Sequence, residues 1–144
     1  MGALLEKRSK VLLMSLTIFV TLQMMVGVVS GSFIFKDTHV IITNKLSEVL
    51  TLHCQDMKND LGYHTLQPNS DPYSFKFTAN PIFKISLYYC KFVWTGESHN
   101  FDIYVQKRDG KCGNSNRECS WIITQQGPCR LTNDPNNPLC YPWN

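Results

Sequence analysis

Four histidines are the residues of this 144-residue chain that could support acid–base chemistry: His39, His53, His64 and His99. A phosphate-cleaving site needs two imidazoles that converge on one phosphate beside a basic side chain, and His53 and His64 flank a segment that carries Lys58. Neither histidine belongs to a paired catalytic motif. His53 falls on the predicted solvent face of a strand, and His64 follows a Leu-Gly-Tyr turn, where an imidazole more often bonds the backbone. The sequence therefore predicts a non-catalytic protein.

Acidic residues make no stronger case for a metal or cofactor site. Asp56, Asp60 and Asp71 lie in one polar segment, but their spacing lacks the alternating oxygen ligands and the closing glutamate of an EF-hand. The chain also has no Gly-x-Ser-x-Gly motif and no phosphate-binding loop. We expect solvated loop carboxylates and no bound cofactor.

Cysteine spacing points to crosslinks rather than to zinc. The chain has six cysteines, separated by 36, 22, 7, 10 and 11 residues: Cys54, Cys90, Cys112, Cys119, Cys129 and Cys140. A structural zinc site needs pairs of cysteines at short spacing, and no Cys-x-x-Cys occurs. An even number of cysteines in a small secreted chain is typical of a disulfide framework. Six cysteines allow fifteen pairings, and the spacing alone does not choose among them.

The first 31 residues have the three parts of a secretory signal peptide. Three basic residues lie within the first ten positions, residues 11–29 are largely apolar, and the small residues Ser30 and Gly31 follow. An uncleaved membrane anchor is the alternative, but four polar residues interrupt the apolar stretch and no charged stop-transfer cluster follows it. We expect cleavage after residue 30 or 31 and no membrane insertion of the mature chain.

The charge of the mature chain argues against a nucleic-acid partner. Removal of residues 1–31 takes away three basic residues and one acidic residue, which leaves 11 basic and 10 acidic residues. A protein that binds phosphates along a nucleic acid needs a strong excess of lysine and arginine. The nearly neutral mature chain lacks that excess.

Short strands separated by turn-rich breaks follow the leader, and no segment has a sustained helical period. The predicted strands are residues 39–43, 48–55, 73–79, 84–94, 101–106 and 119–125, with a shorter piece at 129–131. This pattern predicts an all-β fold, a small antiparallel β-sandwich of about six to seven strands, stabilised by disulfides. We assign this domain to residues 32–131.

Residues 84–94 form the predicted centre of the sandwich. Large side chains occupy both alternating sets of positions, which favours a central strand covered on both faces or covered on one face by stacked aromatics. Seven aromatic residues from this strand and the preceding one could instead form a sugar-binding platform, but aromatic-rich strands usually belong to a core: Tyr73, Phe75, Phe77, Tyr88, Tyr89, Phe92 and Trp94.

Three polar connections and a tail complete the chain. Residues 56–72 form a long connection that Leu61, Tyr63 and Leu66 could anchor, so we expect an ordered loop. Residues 95–100 and 107–118 are the other two predicted loops. Residues 132–144 are rich in proline and asparagine, which predicts a tail without regular structure that Cys140 tethers.

Three separated segments together resemble one family. Residues 53–66 (HCQDMKNDLGYHTL) contain a cysteine, a charged turn ending in Asp-Leu-Gly, then a histidine and a leucine. Residues 88–94 (YYCKFVW) form an aromatic-Cys-x-Phe-x-Trp strand, and residues 119–127 (CSWIITQQG) form a Cys-x-Trp strand closed by glycine. The chain is similar over residues 38–131 to the plant self-incompatibility proteins, also called S-protein homologues.

The resemblance implies a small secreted β-sandwich that acts as an extracellular ligand in cell–cell recognition. It also implies two disulfides drawn from Cys54, Cys90, Cys112 and Cys119. Cys129, which follows Pro128, and Cys140, in the tail, fall outside the family pattern. The simplest partition therefore pairs the first four cysteines among themselves and joins the last two.

We expect the protein to act as a monomer that binds a cell-surface receptor or another extracellular protein through its loops, because loops vary without disturbing the core. An inhibitor or defence protein that binds a secreted enzyme is the alternative, and a small hydrolase is a third. The candidate recognition residues are Asp56, Lys58, Asp60, His64, His99, Lys107, Arg108, Asp109, Lys111 and Arg117.

Overall fold

The computed structural model describes residues 1–30, 36–112 and 117–144, which fall into two units, Met1–Phe35 and Lys36–Asn144. The first unit contains helix α1, Gly2–Ser30. Within the described residues, no helix combines the length and apolar character that crossing a bilayer requires. The predicted cleavage site at residues 30 and 31 extends outside the described residues.

The second unit contains nine described strands and one helical turn. The bounds are β1 Asp37–Asn44, β2 Leu50–Gln55, β3 Asp60–Leu66, β4 Tyr73–Thr78, β5 Leu87–Trp94, β6 Glu97–Val105, α2 Gln106–Asp109, β7 Glu118–Ile123, β8 Pro128–Arg130 and β9 Leu139–Cys140. All seven predicted strands are present. The two additional strands, β3 and β9, lie in segments that we predicted to be a loop and an irregular tail.

The strands form two sheets around one core, which confirms the predicted sandwich. One sheet has the order β4-β1-β7-β8-β9 and the other β3-β2-β5-β6. Neighbouring strands are antiparallel except β1 and β7, which pair in parallel. Side chains from both sheets, including Ile42, Trp121 and Phe92, form a single buried cluster. The buried apolar residues of the central strands therefore face the opposite sheet.

Strand β5 is central in its sheet. Of the two predicted alternatives, coverage of both faces is wrong, whereas coverage of one face by aromatics agrees with the contacts of Tyr88 with Phe77 and of Phe92 with Trp143. Tyr88, Cys90, Phe92 and Trp94 are buried, whereas the alternating residues face solvent. On that face Leu87, Tyr89 and Val93 are 36–40% exposed. The strand also begins at Leu87 rather than at residue 84, because Lys84 follows the turn at 81–83 and has a φ of 51°, which is not extended backbone.

The segment 56–72 is not simply a loop, because it contains β3. This strand pairs with β2 at the edge of its sheet, and a register shift lies between His53 and Gln55 of β2. Most of its side chains are exposed or half-buried. An edge strand of this kind needs no alternation of apolar residues, so the sequence pattern gives no signal for it.

The predicted loop at 95–100 is a two-residue turn followed by β6. Trp94 and Glu97 lie opposite each other, so that Thr95 and Gly96 alone connect the strands, and Gly96 has a φ of 75°. Further along β6, a register shift places both Ile103 and Tyr104 in the core. An unbroken alternation would place these two neighbouring residues on opposite faces, so the shift is what buries both of them.

The C-terminal tail is part of the sandwich. Strand β9 pairs with β8, and Trp143 donates its indole N–H to the carbonyl oxygen of Thr124 at 3.1 Å. A Cβ atom on Gly127 would lie 1.7 Å from the carbonyl oxygen of Tyr141, so the tail backbone packs directly against this glycine. The prediction of a tail without regular structure is wrong, because the contacts that order it lie far away in the sequence.

Three disulfides connect the six cysteines. They join Cys54 to Cys90, Cys112 to Cys119, and Cys129 to Cys140. This pairing agrees with the partition of the cysteines given above. The first and third disulfides each join residues that lie directly opposite on neighbouring antiparallel strands, β2 with β5 and β8 with β9.

Loss of the Cys129–Cys140 disulfide is expected to destabilise the domain without releasing the tail. Closure of a loop with a separation of 11 residues contributes roughly 2–3 kcal/mol on chain-entropy arguments. The double substitution Cys129→Ser, Cys140→Ser should lower the free energy of unfolding by about that amount, measured by denaturant titration. The Trp143 hydrogen bond and the β8–β9 pairing remain in the folded state. Rapid removal of residues 139–144 by protease under native conditions would contradict this expectation.

Candidate protein-binding surface

Three connections lie together at one end of the sandwich, which we call the basal end. They are the β2–β3 turn (56–59), the β4–β5 loop (79–86) and the described parts of the β6–β7 connection (106–112 and 117). Strand pairing explains the grouping, because Gln55 at the end of β2 lies opposite Tyr89 near the start of β5, and Val105 at the end of β6 lies opposite Leu87. The β4–β5 loop and the β6–β7 connection are joined by direct hydrogen bonds.

The β4–β5 loop carries three large apolar side chains that face solvent. Ile82 is 77% exposed, and Phe83 and Ile85 are each 69% exposed. We call these three residues the apolar tip. Single exposed apolar residues are ordinary, but several on one short loop are typical of a binding surface.

Hydrogen bonds hold the base of this loop in place. The side-chain oxygen of Asn80 accepts the backbone N–H groups of Ile82 at 3.0 Å and Phe83 at 2.9 Å. The side-chain amide of Gln106 donates to the carbonyl oxygen of Asn80 at 2.7 Å and accepts the N–H of Ser86 at 3.1 Å. The apolar tip is therefore presented on an ordered backbone, which lowers the entropy cost of binding.

Basic side chains share the basal end with the apolar tip. Five exposed cations lie on its connections: Lys58, Lys84, Lys107, Lys111 and Arg117. Four of them were predicted as recognition residues, and Lys84 was not. Arg117 also donates to the backbone carbonyl oxygen of Lys36 at 3.1 Å. The basal end therefore combines apolar and positively charged groups.

Asp56, another predicted recognition residue, serves to order the β2–β3 turn. Its carboxylate accepts the backbone N–H groups of Lys58 at 2.7 Å and Asn59 at 2.6 Å. Desolvation raises the pKa of this carboxyl, but these donors outweigh it and hold the pKa below its ordinary value. Desolvation, together with the nearby Asp56, raises the pKa of Tyr88 to about 12. The Asp56 carboxylate is therefore engaged in hydrogen bonds within the turn.

The histidines at β2 and β3 have separate partners and do not converge on one point. His53 lies 2.6 Å from the carboxylate of Asp60 and stacks on Tyr63 with ring centroids 4.3 Å apart. The ring of His64 bonds the carbonyl oxygen of Leu61 at 2.8 Å, as predicted from its place after a turn. The backbone N–H of Gly62 and the His53 ring lower the pKa of the Asp60 carboxyl.

Asp109 and Arg108 were predicted as recognition residues, but Asp109 is only 1% exposed. Its carboxylate forms ion pairs with Arg108, at 2.7 Å, and with Arg130 of β8. It also accepts the backbone N–H of Val105 at 2.9 Å. Asp109 is therefore unavailable to a partner, and its assignment to the surface is corrected.

Arg108 packs within an aromatic cage. Its guanidinium carbon lies 5.1–5.2 Å from the ring centroids of Phe101, Trp121 and Tyr141. A guanidinium over an aromatic face is attracted by the negative charge of the π system. Since Tyr141 belongs to the C-terminal tail, this cage also fixes the tail to the core. Arg108 is a structural residue with partial exposure.

The apolar tip was not predicted from the sequence, and His99 lies on a strand rather than in the predicted loop. The tip was overlooked because Ile85 fell within the predicted strand 84–94. Ile82 and Phe83 fell in the short connection between that strand and the preceding one. An apolar run directly after Asn80-Pro81 was the available signal. His99 lies on β6, bonded to Glu97 at 2.8 Å, toward the end of the sandwich opposite the basal end.

Comparison with known proteins gives the family. The model of the plant self-incompatibility protein S1 family matches residues 39–143. The chain belongs to this family. S-protein homolog 2 from Arabidopsis thaliana is 44% identical over 112 residues, which cover 73% of this chain and 67% of that protein. S-protein homolog 3 from the same plant is 44% identical over 109 residues, which cover 73% of this chain and 71% of that protein.

A solved structure from the same family shares the fold of this S-protein homologue. The structure is described as that of self-incompatibility protein homologues, "a widespread family of small, highly stable, secreted proteins from plants". Its TM-score is 0.56 at 18% identity, and the match covers 78% of this chain and 98% of that chain. Extracellular secretion, which the leader predicts, is the localisation of this family.

The family match also corrects the interpretation of the tail. Because the match extends through residue 143, both Cys129 and Cys140 lie within it. The prediction that the tail lies outside the family pattern is therefore wrong. The tail supplies Tyr141 and Trp143 to the core cluster, which gives a physical reason for its inclusion.

Proposed function

We propose that this S-protein homologue is a secreted recognition ligand that binds a cell-surface receptor or another extracellular protein through its basal end. The observation that carries the proposal is the apolar tip, three exposed apolar side chains on a loop whose base is fixed by hydrogen bonds. Large apolar side chains that a partner can bury dominate the energy of many protein interfaces. An ordered loop also loses little entropy when it binds.

The charges at the basal end indicate the character of the partner. Lys58, Lys84, Lys107 and Lys111 are exposed at the basal end. A complementary surface would have an apolar pocket bordered by acidic side chains, since charges at the rim of an interface speed association and exclude wrong partners. Binding should then become slower as ionic strength rises.

We also propose that the protein acts by binding and not by catalysis. His53 and His64, the histidines considered for a hydrolase, are each engaged by a partner within the fold. Acid–base catalysis would require both rings to reach one substrate. Their separate partners support a structural role.

The proposal predicts that the apolar tip is required for binding to plant cells. Fluorescently labelled protein, collected after secretion, should bind intact cells saturably and be displaced by unlabelled protein. The triple substitution Ile82→Ser, Phe83→Ser, Ile85→Ser should weaken this binding at least about tenfold, because each lost anchor contributes on the order of 1 kcal/mol or more. Treatment of the cells with protease should abolish binding.

A matched control removes exposed apolar surface elsewhere. The double substitution Val49→Ser, Val93→Ser changes exposed side chains toward the opposite end of the sandwich and should leave binding unchanged. Equal binding by the tip variant and the wild type would overturn the proposal. Binding that survives protease treatment and also occurs on protein-free vesicles would replace the protein partner with a lipid surface.

A secreted enzyme inhibitor is the second candidate. The concentration of exposed apolar side chains on one loop favours it, because a single loop can enter an enzyme cleft. Inhibition of a secreted plant hydrolase by the wild type, lost in the tip variant and kept in the control, would favour this candidate over the receptor ligand.

A further inference from the structure

A cleft of about 530 Å³ lies at the end of the sandwich opposite the basal end. Its walls come from the β1–β2 connection, the β5–β6 turn, the β7–β8 connection and the tail. None of the sequence motifs indicated it, because its residues lie far apart along the chain. Its volume suits a small molecule or a single side chain of a partner.

One wall of the cleft is aromatic and firmly held. The rings of His99 and Trp143 stack with centroids 4.7 Å apart, and Trp94 lies 5.1 Å from His99 and 5.7 Å from Trp143. Trp143 is only partly buried, and its indole N–H is bonded to Thr124. A partly exposed tryptophan fixed in this way gives the cleft a rigid aromatic wall.

The remaining lining is negatively charged. Glu48 accepts the backbone N–H of Thr95 at 3.3 Å, which holds its carboxylate at the cleft, and Glu97 bonds His99. The amides of Gln125 and Gln126 complete the polar side. Among the described residues that line the cleft, none is lysine or arginine. Glu48 therefore has no lysine or arginine beside it within the lining, whereas Glu97 is bonded to the imidazole of His99 at 2.8 Å.

We propose that this cleft binds a cationic group, an ammonium or a guanidinium, carried by a free polyamine or by a basic side chain of a peptide. The faces of tryptophan rings attract cations within about 6 Å, and this attraction adds to that of the carboxylates. A neutral sugar would use the aromatic wall but would gain little from two negative charges. A phosphate or carboxylate ligand would be repelled by them.

The test follows the indole N–H signals of the tryptophans by NMR in the secreted protein. Spermidine, agmatine and a blocked Gly-Arg-Gly peptide should each shift the signal of Trp143 saturably. Cellotetraose and sulfate should not. Added sodium chloride should weaken the binding of the cations, since exposed charges are screened. If the peptide binds more tightly than both amines, the cationic group comes from a peptide. If the amines bind more tightly than the peptide, it comes from a free polyamine.

Variants separate the cleft from general electrostatic attraction. The double substitution Glu48→Gln, Glu97→Gln should weaken spermidine binding at least about tenfold, which corresponds to roughly 1.4 kcal/mol. Asp71→Asn removes an exposed acidic residue that does not line the cleft and should leave the affinity unchanged. Unaltered backbone amide signals establish that each variant is folded.

Two results would overturn the proposal. The first is a shift with cellotetraose that equals or exceeds the shift with spermidine, which would assign a carbohydrate ligand. The second is the absence of a saturable shift with all three cations. Both results come from the wild-type protein, so the inference stays testable even if the double variant does not fold.

Discussion

Replacement of Asp109 by alanine should lower the free energy of unfolding by about 3–5 kcal/mol, because it leaves two cations without their shared partner in a largely buried site. Arg108 and Arg130 both pair with this carboxylate, and the backbone N–H of Val105 loses its acceptor as well. An arginine cannot relieve the penalty by releasing its proton. The loss should therefore exceed that of most single substitutions.

Denaturant titration of the secreted protein measures this effect, and Asp102→Ala provides the control. Asp102 is an exposed acidic residue close in sequence, and only its backbone carbonyl oxygen contacts Arg108. Its replacement should change stability by no more than about 0.5 kcal/mol. If Asp109→Ala prevents secretion, Asp109→Asn can be measured instead. It keeps the shape of the side chain, so its free energy of unfolding should fall by less. A loss from Asp109→Ala as small as that from the control would show that the ion pairs contribute little.

Removal of the Cys54–Cys90 disulfide should have the second large effect. The two cysteines are 36 residues apart, and both are fully buried. Restriction of the unfolded chain by a loop of this length contributes about 4 kcal/mol. Cys90→Ser would in addition place a hydroxyl in the core and leave a free thiol on Cys54. We expect the double substitution Cys54→Ala, Cys90→Ala to lower the midpoint of chemical unfolding sharply.

The Cys112–Cys119 disulfide provides a graded comparison. Its separation is only 7 residues, so its loss should cost about 2 kcal/mol on the same argument. The expected order of destabilisation is Cys54–Cys90, then Cys129–Cys140, then Cys112–Cys119. If removal of the 7-residue disulfide lowers stability more than removal of the 36-residue disulfide, contacts in the native state contribute more to these stabilities than loop length does.

Alternation along the chain was sufficient to predict most of the sandwich. Strand β2 buries Leu50, Leu52 and Cys54 as the pattern indicates, and β5 buries Cys90. Alternation succeeds because successive side chains of a strand point to opposite faces. The apolar face can therefore be identified from neighbouring residues in the sequence. It failed where the second face of β5 carried large residues, because the sequence does not state whether another layer covers them.

The candidate surface was predicted only in part. Lys58, Lys107, Lys111 and Arg117 are exposed at the basal end as expected of loop residues. Asp109 is buried because it forms an ion pair with Arg130, which lies 21 positions away on another strand. No local pattern distinguishes a solvated loop acid from one that a distant cation neutralises.

The sequence by itself determined the compartment, the sandwich and the family, since the leader, the alternating strands and the separated cysteine motifs are all local features. Only the tertiary structure decided the roles of β3, of Asp109 and of the tail. Each of these depends on contacts with partners far away in the sequence, as when β3 completes a sheet edge or Trp143 packs on His99. Local patterns specify which face of a segment is apolar. Only the tertiary structure specifies which residues pack against that face and whether anything covers the opposite face.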